Sequence, residues 1–269
     1  MLVVVRAASA LTVVAALALV GCGNVSPRVP VKVQAANGRF VVSLTHQVVN
    51  EASGHHLDLR SLASTDLQVI NSMLPGPSTT VTLTVGDPDQ ISFAIGAAEF
   101  TDPESGAITI GLYPSWSEEP WNVSQELARS LARGVVRSVR ITSGAGLGKT
   151  ILDEMVAAGI ATEFGESAFP GPPDPWVNSL TAKQECQQWR HLDRLLHTVG
   201  IHEEVLTGGG VSAATFGEST MPQFTGQTIG YHIVADYLAR TGTISWSALA
   251  ATPAQEIYAA SGYAPCPLN

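Results

Sequence analysis

The apolar residues of this chain change their period once, near residue 120, and that switch limits the fold more than any other feature. Before it, β-branched stretches prevail. Thr79–Val85 reads TTVTLTV, a two-residue alternation that fits a pleated strand with one buried face. Phe40–Val49, Ile91–Ile95 and Ala107–Leu112 read as further strands. The run Thr101-Asp102-Pro103-Glu104-Ser105-Gly106 is turn chemistry, so the last two strands are expected to form a hairpin across it. One helix interrupts this half, Leu57–Leu74, which stops at Pro75-Gly76-Pro77. After the switch the period is helical. Ser124–Val139 sets Leu127, Leu131, Val135 and Val139 on one face and Arg129, Arg133, Arg137 and Arg140 on the other. Helices are also expected over Thr150–Phe164, Ala182–Leu196, Gly226–Arg240 and Pro253–Ser261. Strands first and helices afterwards predict one α+β domain over residues 38–269.

The first residues stand apart from that domain. Arg6 is followed by an uncharged run to Gly21, about the length of a signal peptide and short for a membrane span. It ends in Leu19-Val20-Gly21-Cys22, which resembles the lipobox of bacterial lipoproteins. That resemblance implies cleavage after residue 21 and acylation of Cys22, palmitate included, on the extracytoplasmic face of the cell membrane. A plain secretory signal or a short anchor helix, with Cys22 incidental, is the simpler alternative. Residues 22–37, with Pro27 and Pro30, read as a tether. Setting Cys22 aside leaves Cys186 and Cys266, best paired as a disulfide outside the cytoplasm, with free thiols or a metal pair as alternatives.

Charge narrows the partners. The net charge is −9, from 14 Lys+Arg against 23 Asp+Glu, which argues against a nucleic-acid binder. The four arginines of the 124–139 helix read as a solvated face, or else as partners for the chain's own carboxylates. Ser143–Thr150 approaches a phosphate-binding loop, but Ser143 stands where the first glycine belongs. The seven histidines include no i, i+4 pair, so metal binding by them is not indicated.

Several segments in a shared order carry a wider resemblance. They are Ser124-Gln125-Glu126-Leu127-Ala128-Arg129, Gly148-Lys149-Thr150-Ile151-Leu152-Asp153, Ala157-Ala158-Gly159-Ile160-Ala161, Pro172-Pro173-Asp174-Pro175-Trp176 and Gly226-Gln227-Thr228-Ile229-Gly230-Tyr231. Together they resemble a bacterial family of predicted zinc-dependent proteases. The resemblance implies a zincin-like α+β fold and a helix bearing H-E-x-x-H, whose two histidines bind zinc while the glutamate activates water. It also implies a third, acidic ligand on the following helix. Those ligand positions hold Gln125, Arg129 and Ala158 here, and only Glu126 remains. Zinc is the family's cofactor, yet no metal and no catalytic residue are expected. Arg129 is instead expected to pair with Glu126 or Glu154 in the old cleft.

Three functions compete. The first is a lipid-anchored, non-catalytic member that binds or scaffolds a peptide or cell-envelope protein. The second is an active metallopeptidase with relocated ligands, Glu126, Glu154 and a distant histidine such as His232. The third is a structural envelope lipoprotein with no working cleft; a filled cleft would favour it, an open groove beside Arg129 the first.

Overall fold

A computed structural model describes residues 30–86, 97–112, 120–199, 221–242 and 244–266. Among these described residues five strands come mostly first: β1 (Val31–Ala35), β2 (Phe40–Leu44), β3 (Thr79–Val85), β4 (Ala97–Thr101) and β5 (Ile108–Leu112). They form one sheet in the order β1-β2-β3-β5-β4. The two centre pairings, β2 with β3 and β3 with β5, are parallel, and both edge strands run antiparallel to their neighbours. Helices α1 (His46–Gly54) and α2 (Leu59–Met73) connect β2 to β3. The helical half follows as α3 (Pro120–Thr142), α4 (Ile151–Ala168), α5 (Ala182–Leu192), α6 (Thr225–Thr241), α7 (Trp246–Ala251) and α8 (Ala254–Ser261). The α+β expectation therefore holds, as one mixed sheet followed by helices.

Helix α3 is central. It packs against β4 and β5 on one side and against α2, α4 and α7 on others. Leu127, Leu131, Val135 and Val139 are buried in the main core, as the sequence predicts. Helix α4 is enclosed almost all round, with Met155, Val156, Ile160 and Phe164 fully buried. It crosses α6 at glycines. A β carbon on Gly159 would lie 2.1 Å from the Gly230 carbonyl oxygen, and one on Gly230 would lie 1.9 Å from that of Met155. The family-like Gly226–Tyr231 segment is thus a backbone-to-backbone contact that only hydrogen side chains permit.

Some boundaries differ from the sequence reading. Residues 31–35, assigned to the tether, form the edge strand β1 against β2. The strand expected over Phe40–Val49 stops at Leu44, because the Thr45 side chain accepts from the Val48 amide and starts α1. A hairpin does form across Asp102–Gly106, but its first strand is Ala97–Thr101, opposite Ile108–Leu112, and not the expected Ile91–Ile95. The strand expected at Ile91–Ile95 lies outside the described residues, as do Cys22 and the leader. Among the described residues, no helix is long and apolar enough to cross a membrane.

The predicted disulfide is present, Cys186 to Cys266, tying the C-terminal segment to α5. The phosphate-loop candidate is occupied from within the chain. Gly148 has φ +89°, and Asp153 accepts from the amides of Lys149 and Thr150 while the Thr150 side chain accepts from Asp153. This capping box uses the amides that a phosphate would need.

Candidate functional site

Each position singled out by the sequence can be followed from its helix outward. Gln125, Glu126 and Arg129 lie in the first half of α3, and Ala158 lies near the middle of α4, which packs on α3. Arg129 and Arg133 are each 2% exposed and Arg140 1%. A solvated basic face, the first of the two readings for these arginines, is therefore overturned. The reason is the company they keep on α3: Ala128, Ser130, Ala132, Gly134 and Ser138 are small, so neighbouring elements close over the guanidinium groups. Arg137 keeps the most solvent of the four, with its side chain 20% exposed.

The loop from Phe169 to Trp176 supplies the acceptors. Its sequence, Phe169-Pro170-Gly171-Pro172-Pro173-Asp174-Pro175-Trp176, has four prolines that lack amide hydrogens and push the residues before them to extended conformations. Two carbonyls that precede prolines then face Arg129. Its Nε and Nη2 donate to the Phe169 oxygen at 3.2 and 3.1 Å, and Nη1 donates to the Pro172 oxygen at 2.7 Å. Nη1 also meets Asp174 Oδ1 at 2.8 Å. The other Asp174 oxygen takes Arg133 Nη1 at 3.0 Å, while the Asp174 amide donates to Glu166 Oε1 at 2.8 Å. Arg133 Nε reaches Glu99 on β4 at 3.1 Å, and Glu99 takes Arg137 with its second oxygen. The Arg133 guanidinium also lies 5.0 Å from the Trp176 ring centroid.

The ion pair expected between Arg129 and Glu126 or Glu154 is thus replaced by one to Asp174. The loop delivers Asp174 with both oxygens placed between two arginines, a fit that neither glutamate matches. Glu126 sits beside this network without joining it. Its Oε2 is buried with no hydrogen-bond partner, and burial, only partly countered by Arg133, raises its pKa to about 7. Glu154 is half-buried in the first turn of α4.

The same loop touches Gln125 and reaches α4 at Thr162. A β carbon on Gly171 would lie 1.9 Å from Gln125 Nε2, so the Gln125 amide rests directly on the loop backbone. Trp176 Nε1 donates to Thr162 Oγ1 at 2.9 Å, and Thr162 Oγ1 donates to the Ala158 carbonyl at 3.0 Å. The buried indole therefore covers the turn of α4 that begins at Ala158. Gln125 and Arg129 thus lie against one proline-rich loop, whose closing Trp176 reaches α4 one turn beyond Ala158.

These residues do not fit a zinc ion. Ala158 offers no donor, Gln125 only a neutral amide, and Arg129 brings a fixed positive charge whose hydrogens are already committed. The relocated set also fails to assemble: among the described residues, no group of three His, Cys, Asp or Glu side chains is placed to hold a metal. His232 is engaged elsewhere. Its Nδ1 lies 2.7 Å from Glu185 Oε1, and that same oxygen accepts from the Tyr263 hydroxyl at 2.5 Å. The Glu185 hydrogen bond raises the His232 pKa; burial opposes it. For Glu185, burial alone would raise the pKa, but the bonds from His232 and Tyr263 leave it lowered.

Sequence reasoning missed Asp174 as the hub of this network. It is 45 residues from Arg129 and 41 from Arg133, so no local spacing announces it. The available signal was an aspartate set between prolines in a chain with four arginines on one helix. A second missed group is Glu163, half-buried on α4 and hydrogen-bonded to Tyr231. Burial, with Glu166 adding to it, raises the Glu163 pKa to about 7.

A comparison with protein families matches residues 62–259 to a model described as a predicted Zn-dependent protease. No curated protein and no solved structure matches this chain.

Proposed function

The chain belongs to the predicted Zn-dependent protease family, and we propose that within it this is a non-catalytic member whose metal cleft has become part of the core. The observation that carries this reading is the loop Phe169–Trp176, which lies against two of the three positions where the resemblance puts zinc ligands, Gln125 and Arg129, and gives Arg129 a buried carboxylate partner, while the third position is Ala158. A filled cleft of this kind favours a structural role over ligand binding in the cleft itself. The compartment belongs to the same proposal: Cys22 carries lipid, and the domain works on the outer face of the cell membrane as an envelope lipoprotein. Its support is the Leu19-Val20-Gly21-Cys22 segment and a disulfide suited to an oxidising compartment.

Two measurements test the proposal. Metal analysis of the soluble 23–269 chain, purified with zinc present, is expected to find far less than one zinc per protein. Stoichiometric zinc that Glu126→Ala or Glu154→Ala removes would overturn the non-catalytic reading. Labelled palmitate fed to a bacterium expressing the full chain is expected to enter the protein and to be lost in Cys22→Ser. Labelling that survives Cys22→Ser, or labelling of neither form, removes the anchor from the proposal.

A further inference from the structure

The exposed face of α5 is basic, in an acidic chain. A groove of about 690 Å³ runs along it, lined by Ala182, Lys183, Cys186, Gln187, Arg190 and Pro265. Lys183, Gln187 and Arg190 follow one another at i, i+4 and i+7, so they share one helix face, and of the lining residues all but Cys186 and Pro265 are exposed. Among the described residues no carboxylate lines the groove, in a chain whose net charge is −9. The two acids of this stretch are used elsewhere: Glu185 faces inward to His232 and Tyr263, and Asp193 hydrogen-bonds Tyr258. Neither Lys183 nor Arg190 pairs with a described residue. The disulfide fixes the floor, since it holds Pro265 and Cys266 against α5 and the Cys266 sulfur lies 3.3 Å from the Cys186 carbonyl oxygen.

We propose that this groove binds acidic, extended peptide segments. Seven helical residues separate the two cations by about 10 Å along the axis. A single phosphate or carboxylate is too small to meet both. Carboxylates two to four residues apart on an extended chain stand about 7–13 Å apart on one face, which matches the span. The apolar floor of Ala182, the disulfide and Pro265 suits the side chains between them. A concave surface also fits a chain segment better than it fits a flat membrane. The site lies apart from the arginine network, so it stands whether or not the metal reading does.

The test uses the folded 23–269 chain and a fluorescein-labelled heptapeptide, Glu-Leu-Glu-Ala-Glu-Leu-Glu, followed by fluorescence anisotropy at low salt. Saturable binding is expected, weakened at least tenfold in K183E/R190E and in the charge-neutral, groove-filling Q187W. The same peptide with glutamine for each glutamate is expected not to bind. Circular dichroism melts matching the parent confirm that both variants fold; should K183E/R190E not fold, Q187W alone decides. The proposal is overturned if the peptide shows no saturation, if the folded variants bind it unchanged, or if phosphatidylglycerol vesicles bind while the peptide does not.

Discussion

Helices α3 and α5 both carry cations at helical spacing, and they meet opposite fates. On α3 the arginines at 129, 133 and 140 are buried and hydrogen-bonded within the fold, whereas Lys183 and Arg190 on α5 are exposed and pair with no described residue. The difference lies in what each helix turns inward and what reaches it from afar. Small residues beside the α3 arginines let a loop and a strand close over them, bringing Asp174 and Glu99. Helix α5 instead buries bulky Trp189 and Leu192, and its basic side faces a groove. Spacing alone places cations on one side of a helix; it does not say whether that side is wet.

The comparison breaks most visibly at Asp174. Asp174→Ala leaves two buried guanidinium groups without their shared counter-ion, and a loss of about 3–5 kcal/mol is expected in urea unfolding. A change under about 1 kcal/mol would mean that the α3 arginines reach water after all. On α5 the corresponding anchor is covalent, so removing it should matter more than removing its cations. Replacing Cys186 and Cys266 together by serine is expected to cost about 2–4 kcal/mol, read from the same unfolding curves.

A smaller effect sharpens the electrostatic side. Burial first of all raises the carboxyls of Asp66, Glu126 and Glu163 to about 7. The folded chain therefore holds protons that the unfolded chain has released, and stability falls as pH rises from about 4.5 to about 7. Glu126→Gln removes one such group. The variant is expected to be more stable than the parent at pH 8 by on the order of 1 kcal/mol, after allowance for solvent screening, and equal to it near pH 4. Parallel curves at both pH values would show that Glu126 keeps its charge in the fold. The smallest effect belongs to the open face: Lys183→Ala and Arg190→Ala are each expected to change stability by less than about 0.5 kcal/mol. A larger loss would reveal a hidden partner for α5.

The parts of the fold legible in the sequence are those with a long or clean period. Helices α2, α3, α4 and α6 and strand β3 stand within a few residues of their expected places, because α2, α3, α6 and β3 each bury a regular stripe and α4 is a long run buried almost all round. Strand β1 escaped notice since five residues at a sheet edge, with Pro27 and Pro30 just upstream, look like linker. Helix α1 was hidden inside a β-branched run, where one capping threonine outweighs strand propensity. The ends of α4 were plain from Thr150 and its capping box, yet nothing nearby marked the loop that crosses back over Arg129. Long-range ion pairs are decided by tertiary closure, and a single sequence carries no period for them.

Strand β1 also changes the geometry of attachment. With the chain entering the sheet at Val31, the leash from a lipidated Cys22 has nine links instead of the fifteen implied by a tether ending at residue 37. Fully stretched, nine residues reach about 30 Å, roughly one hydrocarbon thickness, against about 50 Å for fifteen. Under the proposed anchoring the domain cannot patrol far from its bilayer. Any partner it meets must itself come within that short radius, and the two are then concentrated in a thin layer at the membrane rather than in the volume beyond it.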